Sequence, residues 1–242
     1  VIDGLNQRGG RMLSLLDLLD AGSLSMDMAA YLVQRIGQGA SFLTAARPGG
    51  AGKTTVMGAL LALVPPGAVL REVRGPEDLA APFPAGPRPV WHVCHELGPG
   101  NHFGYLWGQA LPAYFGLLGR GSYLASNLHA DTLPEIREAL CGSPNGLPQT
   151  LLARVDLILL LRMTLRQGHR RHWIEAVLTA AEGGPHQTVF QRTASGDFAA
   201  GEAAPPREAL AAERGWLHFM LTAGPRALPG FRQRLLQFHR SS

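Results

Sequence analysis

Cysteine and lysine are nearly absent from this 242-residue chain, and it contains no long apolar run. The two cysteines, Cys94 and Cys141, lie far apart, which excludes a disulfide framework or a cysteine-based zinc site and favours a reducing, cytosolic compartment. No apolar run approaches the roughly 18–20 residues that cross a bilayer. The first residues, VIDGLNQRGGRML, contain neither an initiator methionine nor a signal-peptide pattern, so we expect a piece of a longer protein.

The composition is that of a folded domain. Apolar residues make up 46% of the chain and charged residues 17%, which provides for a full core and excludes wholesale disorder. The formal net charge of +4 suits an anionic ligand or a membrane surface. A charge of this size does not by itself indicate nucleic-acid binding.

The single lysine lies in a glycine-rich stretch. Of the 22 lysine and arginine residues, only Lys53 is a lysine, and it belongs to residues 46–55, ARPGGAGKTT. This stretch matches the phosphate-binding pattern G-x-x-x-x-G-K-[ST], except that Arg47 replaces the first glycine. A compact ammonium reaches between two phosphates, which a planar guanidinium does poorly. A lone lysine at this position of an arginine-rich chain therefore indicates a phosphate site.

The flanking residues are predicted to form a strand and a helix. Residues 40–46, ASFLTAA, are short, apolar and β-prone, and residues 54–64, TTVMGALLALV, have helical spacing that ends at two prolines. A phosphate-binding loop requires this strand, turn and helix. An ordinary glycine turn in front of a helix is the alternative interpretation.

Strands and helices alternate along the chain, which predicts an α/β domain with a mostly parallel sheet. Residues 11–39 are predicted to form two helices, the second with Ser25 as its N-cap. Further strands are predicted at residues 68–73, 89–94, 155–163 and 171–177, and at the start of residues 122–131. Further helices are predicted at residues 103–118, 133–140, 207–222 and 226–239, with a loop at 75–88 and a linker at 199–206.

Each part of the loop has an expected role in holding a nucleotide. Its glycines free the backbone so that successive N–H groups can face one anion, assisted by the positive end of the next helix. Lys53 supplies a point charge, and Thr54 supplies a hydroxyl ligand for Mg²⁺. The side chain of Arg47 is expected to point to solvent and to weaken the turn more than the anion contacts. The expected ATP-binding residues are Pro48, Gly49, Gly50, Ala51, Gly52, Lys53, Thr54 and Thr55.

Two polar side chains stand at predicted strand ends. Glu96, in VWHVCHEL, is expected at the exposed end of a strand beside the loop strand, where it could polarise the attacking water or reach Mg²⁺ through water. His129, in SNLHAD, ends a third central strand, where it could sense a γ-phosphate. A solvated carboxylate and a hydrogen-bonded bystander histidine are the alternatives.

Two charged clusters have more than one interpretation. Glu72, Glu77 and Asp78 lie at and after the end of the second predicted strand, where they either orient water or metal or form a solvated loop, with Glu72 the preferred candidate. Residues 166–173, RQGHRRHW, are basic, but Trp173 is the only aromatic residue among them. A surface hairpin turn is therefore favoured over a nucleic-acid site.

The order and spacing of these motifs resemble the motor domain of the secretion-ATPase superfamily. Its members are the hexameric ATPases of type II and type IV secretion, type IV and tight-adherence pili and the archaeal flagellum. The resemblance runs from Leu13 to Val177. LLDLLDAGSLSMDMAAYL is similar to the helical linker before the motor, ARPGGAGKTT to its Walker A loop and VLREVRGPEDL to its acidic Asp box. VCHEL is similar to the Walker B glutamate segment, SNLHAD to the His box, and VDLILLLRM with HRRHWIEAV to the closing hairpin.

The resemblance implies a fold and an organisation. Residues 40–198 would form a RecA-like P-loop NTPase core. Residues 1–39 would be a helical linker that follows a domain outside this sequence, and residues 199–242 a C-terminal helical segment. The whole would work as a ring-shaped hexamer that docks on an integral membrane platform protein from the cytoplasmic face of the membrane, with no nucleic-acid partner.

The resemblance also implies a P-loop ATPase with ATP and Mg²⁺ as cofactors. Lys53 and Thr54 would hold phosphate and Mg²⁺, Glu96 would be the catalytic glutamate, Glu72 would help place metal or water, and His129 would contact the γ-phosphate side.

The chain departs from the family at two places. Position 47 is usually glycine, and Gly-Glu-Ile/Val-Arg usually stands where this chain has residues 95–98, His-Glu-Leu-Gly. Without the arginine after the glutamate, slow turnover is expected. The predicted function is an ATPase motor that powers pilus assembly or secretion. A nucleotide-binding regulator that has lost turnover and a nucleic-acid-stimulated motor are the alternatives.

Overall fold

The computed structural model describes residues 11–80, 86–100, 104–166, 168–180 and 184–241, and the side chains of all of these but residues 166 and 241. The helices are α1 (Leu15–Asp20), α2 (Met26–Gly37), α3 (Lys53–Leu61), α4 (Pro76–Ala80), α5 (Ala110–Gly116), α6 (Leu133–Cys141), α7 (Gln149–Leu152), α8 (Ala211–Ala223) and α9 (Leu228–Ser241), with a 3₁₀ turn at Arg207–Leu210. The strands are β1 (Phe42–Ala45), β2 (Val69–Val73), β3 (Val90–Leu97), β4 (Tyr105–Leu106), β5 (Ser122–Leu128), β6 (Leu157–Arg166), β7 (His169–Ala180), β8 (His186–Arg192) and β9 (Phe198–Ala200).

The strands form one sheet in the order β2-β3-β5-β1-β6-β7-β8-β9, with β4 paired to β3. The strands from β2 to β6 run parallel, and β7, β8 and β9 continue the sheet antiparallel. In β1, Phe42 pairs with Ala125 on one side and Leu157 on the other. The α/β class and the mostly parallel sheet are as predicted, and the strand before the glycine loop is central, as in a RecA-like core.

Helices cover both faces of the sheet. Alternate side chains of β1 enter opposite cores, because successive residues of a strand point to opposite faces. Phe42 packs in the core that includes α1, α2, α3, α8 and α9, and Leu43 packs in the core that includes α5 and α6. The glycine loop therefore lies at the carboxyl end of a strand whose two faces are both packed against helices.

The helices at the two ends of the chain pack against each other. Ser25 accepts a hydrogen bond from the N–H of Met28 at 3.2 Å, which confirms it as the N-cap of α2. Asp27, in the first turn of α2, forms ion pairs with Arg207 and Arg214 of the C-terminal segment. The C-terminal segment therefore covers the helices that precede the loop strand.

Some predicted elements are wrong. Residues 103–118 do not form one helix, because glycines with positive φ at 104 and 108 flank β4, and Pro112 lies in the first turn of α5, where a proline is tolerated. The predicted start at residue 103 lies outside the described residues. The expected linker at 199–206 begins inside β9, the expected loop at 75–88 contains α4, and β8 has no predicted counterpart. These short elements lack the periodicity that a sequence pattern needs.

No helix in the described part of the chain combines the length and the apolar character that a membrane span requires.

Arg232 of α9 ties the C-terminal segment to the end of α3. Its guanidinium donates to the carbonyl oxygens of Ala62 at 2.8 Å and Pro65 at 3.2 Å, and also to that of Val64. Burial lowers the pKa of Arg232 to about 10. One side chain thus donates hydrogen bonds to carbonyl oxygens just beyond the end of α3, which accept no hydrogen bond within the helix.

Replacing Arg232 with methionine is expected to lower the free energy of unfolding by about 2–3 kcal/mol. Hydrogen bonds from a charged donor contribute about 1.5–3 kcal/mol, and the variant leaves these carbonyl oxygens without their donor. Urea denaturation followed by circular dichroism measures the change. Arg234→Met, at an exposed position of the same helix, is the matched control and is expected to stay within about 0.5 kcal/mol of wild type. Equal stability of the two variants would contradict the anchoring role.

Candidate functional site

The carboxyl ends of three adjacent strands bring the candidate residues together. The glycine loop follows β1, His129 directly follows β5, and Glu96 lies next to the last residue of β3. Ligands of parallel α/β sheets bind at this edge. The expectation that the glutamate strand lies beside the loop strand is wrong, because β5 lies between them. As a result, His129 stands between Glu96 and the loop.

The loop is open and leads directly into α3. Gly50 and Gly52 have φ of 82° and 95°, a conformation that favours glycine, and Gly52 is the N-cap of α3. The first-turn N–H groups of α3 have no acceptor within the helix, and they stand at its positive end. A cavity of about 690 Å³ borders the loop from residue 49 to residue 56. The backbone thus offers donors to a space that accommodates an anion.

Lys53 is buried at the base of this cavity. Its ammonium donates to the carbonyl oxygen of Ala46 at 3.1 Å and lies 3.8 Å from Oε2 of Glu96. Burial lowers the pKa of Lys53, against the raising effect of Glu96. In this arrangement the ammonium is held by the loop's own carbonyl and by the carboxylate.

Glu96 is buried, although it was expected at an exposed strand end. Its side chain is 5% exposed, because β4 pairs alongside the last residues of β3, with Tyr105 opposite Glu96. Oε1 of Glu96 is buried without a hydrogen-bond partner among the described residues. Burial raises the pKa of Glu96 more than Lys53 and His129 lower it. Oε1 therefore remains available to accept a hydrogen bond from a ligand or a water molecule in the cavity.

His129 links the loop to the glutamate. Its Nδ1 lies 2.9 Å from the carbonyl oxygen of Arg47, which requires a hydrogen on Nδ1. Both ring nitrogens lie near the Lys53 ammonium, Nδ1 at 3.2 Å and Nε2 at 3.4 Å, and Nε2 lies 3.9 Å from Oε2 of Glu96. The ring therefore contacts the start of the loop and the Lys53–Glu96 pair at the same time.

Arg47 does not enter the cavity. Its side chain is 65% exposed and forms an ion pair with Glu135 at 3.1 Å, while its N–H donates to Asp131 at 2.8 Å. These contacts fix the beginning of the loop to the segment after β5. The arginine in the place of glycine leaves the phosphate side of the loop clear, as the sequence predicts.

The acidic residues Glu72, Glu77 and Asp78, the first of which belongs to β2, do not line the cavity. Glu72 forms an ion pair with Arg74 at 2.7 Å, and a carboxylate oxygen of Asp78 accepts the N–H of Arg74 at 2.7 Å. Glu72 and Glu77 are not among the residues that line the cavity. The predicted role of Glu72 in placing metal or water thus needs a rearrangement that brings it to the cavity, and it stays a prediction.

The opposite wall of the cavity was not expected from the sequence. It is formed by the end of the β6–β7 hairpin, including Arg170, Arg171 and His172, and by Arg192 of β8 and Arg11. The basic run lies in an exposed hairpin between β6 and β7, as the sequence predicts, and its C-terminal half also lines the cavity. The sequence contains a signal for this position, because it predicts the hairpin immediately after a buried strand of the same sheet.

His95, next to Glu96, also lines the cavity. Neither ring nitrogen has a hydrogen-bond partner among the described residues, and burial lowers the pKa of His95. The ring stacks against Tyr105 with its centroid 6.3 Å away. His95 therefore borders Glu96 as an uncharged group.

The raised pKa of Glu96 predicts a pH dependence of stability. A carboxyl with a raised folded-state pKa contributes its full stabilisation below its ordinary pKa of 4.5 and loses it as the pH rises through the folded-state pKa. The free energy of unfolding of wild type, relative to that of Glu96→Gln, is therefore expected to fall as the pH rises above 4.5. Urea denaturation at a series of pH values measures this difference. Parallel pH curves for the two proteins would contradict the raised pKa.

Comparisons with known proteins give a remote structural similarity. No protein-family model and no curated protein matches the chain. Among solved structures, the chain is similar to the VirB11 ATPase from the type IV secretion system of Brucella suis in complex with sulphate, with a TM-score of 0.44 and 18% sequence identity. The match covers 70% of this chain and 55% of that one, so this chain spans about half the length of the solved protein.

Proposed function

We propose that this chain binds ATP with Mg²⁺ and hydrolyses it, and that it is the motor domain of a pilus or secretion machine. The observation that carries the proposal is the convergence of Lys53, Glu96 and His129 at the base of a cavity bordered by the glycine loop. The loop supplies backbone donors, the lysine a cation and the glutamate an acceptor without a partner.

The residues present fit a magnesium nucleotide. The backbone N–H groups at the start of α3 and Lys53 would hold the phosphates, and the Thr54 hydroxyl, which lines the cavity, would be a ligand of Mg²⁺. Mg²⁺, when bound, neutralises phosphate charge. The unpartnered Oε1 of Glu96 would accept a hydrogen bond from a water, either the nucleophile or one that belongs to the metal.

Each side chain has a chemical task in hydrolysis. Glu96, when ionised, orients and deprotonates the attacking water, and its raised pKa makes it a stronger base than an exposed glutamate. Lys53 offsets charge between the β- and γ-phosphates. For that task its ammonium leaves the carbonyl of Ala46. His129 would sense the γ-phosphate by donating an Nε2–H to a phosphate oxygen while Nδ1 holds the loop.

The cellular role rests on the order of the motifs from Leu13 to Val177. In that role the chain belongs to a ring-shaped hexamer on the cytoplasmic face of a membrane, docked on an integral membrane platform protein. ATP turnover there would be relayed into domain rotation, and nucleic acid is not a partner.

A nucleotide-binding regulator without turnover is the second candidate. The Lys53–Glu96 contact favours it, because an ion pair inside the site must open before both groups act on a substrate. The glycine at position 98, where the family has arginine, favours it as well.

ATP binding and phosphate release by the 242-residue chain test the proposal. An ATPase binds ATP in a Lys53-dependent way and releases phosphate above the Glu96→Gln background. A regulator binds ATP without that release. Phosphate release that increases with added DNA, and loses the increase at high salt, would instead support a nucleic-acid motor.

A further inference from the structure

The β6–β7 hairpin places basic side chains opposite the glycine loop. Arg170 and His172 belong to β7, and both line the cavity that borders residues 49 to 56. They come from the same chain as the loop, so the cavity has a cationic wall without any partner subunit.

The register of β7 turns these two side chains toward α3. Ile174 is buried in the core that contains α3, and residues two and four positions before it share its face because side chains alternate along a strand. The pairing shifts between Leu160 and Leu161 of β6, where β7 carries one extra residue, so that Val177, three residues after Ile174, lies in the same core. The bulge thus sets which side chains of the hairpin end face the loop.

His172 is directly at the loop. Its Nδ1 would lie 3.7 Å from a side-chain carbon at Gly52, the N-cap of α3. That nitrogen is buried without a partner among the described residues. A potential donor therefore stands beside the N–H groups that begin the helix.

Arg170 is available to an anion. Among the described residues, neither Arg170 nor the adjacent Arg171 has a carboxylate or carbonyl partner, although both line the cavity. The other arginines of the cavity are engaged, since Arg11 pairs with Asp17 and Arg192 donates to Gly196 and lies over Trp173. Within the described part of the chain, Arg170 is the unpaired arginine on the His172 face of the strand.

The strand order separates this wall from the catalytic groups. β1 lies between β5 and β6, so Glu96 and His129 are on one side of the loop strand and the hairpin is on the other. If the γ-phosphate lies on the side of Glu96, as the proposed function requires, the hairpin faces the remainder of the nucleotide.

We propose that Arg170 and His172 bind the α- and β-phosphates in cis, as a clamp shared by ATP and ADP. The inference rests on the proposed function and goes beyond it by assigning the diphosphate to the hairpin. A guanidinium suits this task because its planar N–H groups bind phosphate oxygens in pairs. Because both nucleotides carry the diphosphate, the clamp holds product as well as substrate.

Equilibrium dialysis of the full chain with Mg²⁺ and either ADP or a non-hydrolysable ATP analogue tests the clamp. Arg170→Ala is expected to weaken both affinities by the same factor, about tenfold, and His172→Phe by roughly fivefold, as expected for loss of a hydrogen bond to a charged group. Arg120→Ala is the matched control. It removes the same charge from an exposed position just before β5, at the amino end of that strand, whereas the site lies at the carboxyl ends. It is expected to change neither affinity.

The outcomes separate the clamp from the site itself. Unchanged affinities in Arg170→Ala, with strongly weakened binding in Lys53→Ala, would overturn the clamp and leave the proposed function standing. A loss confined to the ATP analogue would also overturn it, because the guanidinium would then act on the γ-phosphate. Wild-type chain that binds neither nucleotide would overturn the proposed function, and the clamp with it.

Discussion

Replacing Lys53 with alanine is expected to weaken ATP binding about 100-fold. Two charge-assisted hydrogen bonds to phosphate, each worth about 1.5 kcal/mol net, correspond to a loss of this size. The backbone donors at the start of α3 remain, so weak anion binding should persist. Titration calorimetry of wild type and variant with the non-hydrolysable analogue and Mg²⁺ measures the difference.

Lys53→Arg is the matched control, because it keeps the charge and changes only its shape. We expect its ATP affinity to resemble that of the alanine variant, since a guanidinium is too broad for the site between Ala46 and Glu96. Far-ultraviolet circular dichroism shows whether both variants fold. Equal ATP affinity in wild type and a folded Lys53→Ala would show that the glycine loop is not the nucleotide site.

Glu96→Gln is expected to lower the rate of phosphate release at least about 100-fold, because a positioned general base contributes roughly 10²–10⁴ to a rate. ATP affinity should be retained or should increase, since the variant removes the negative charge nearest the phosphates and frees Lys53 from its contact. Steady-state phosphate release and analogue binding on the same preparation measure the two effects.

Glu208→Gln, at an exposed position of the C-terminal segment, is the control for loss of a carboxylate and should release phosphate at the wild-type rate. Undiminished release by Glu96→Gln would remove Glu96 from the catalytic role. The same assay on Glu72→Gln tests the other acidic candidate, which the structure pairs with Arg74.

The local features of the site could be predicted from the sequence because they are contiguous. The apolar residues 42–45, the glycines after them and the helix from Lys53 follow one another within twenty residues. Each is specified by its own pattern, and Ser25, the N-cap of α2, is a local feature of the same kind. The freedom of the Arg47 side chain to leave the cavity followed from its position in the loop pattern.

Features that depend on distant pairings could not be predicted in this way. The burial of Glu96 requires β4, a strand of two residues, to pair beside it. The position of His129 between Glu96 and the loop requires β5 to insert next to β1. Neither pairing leaves a periodic signal, because periodicity reports which face of an element is buried and not which neighbour covers it.

The sequence by itself determined the local chemistry: the only lysine of the chain, in a glycine-rich loop in front of a helix. The tertiary structure alone decided what surrounds that lysine, including the buried glutamate, the histidine that shares its contacts and the hairpin wall with Arg170. The physical reason is that a phosphate loop is built from consecutive residues. The electrostatic environment of a buried charge is built from side chains that only the folding of the sheet brings together.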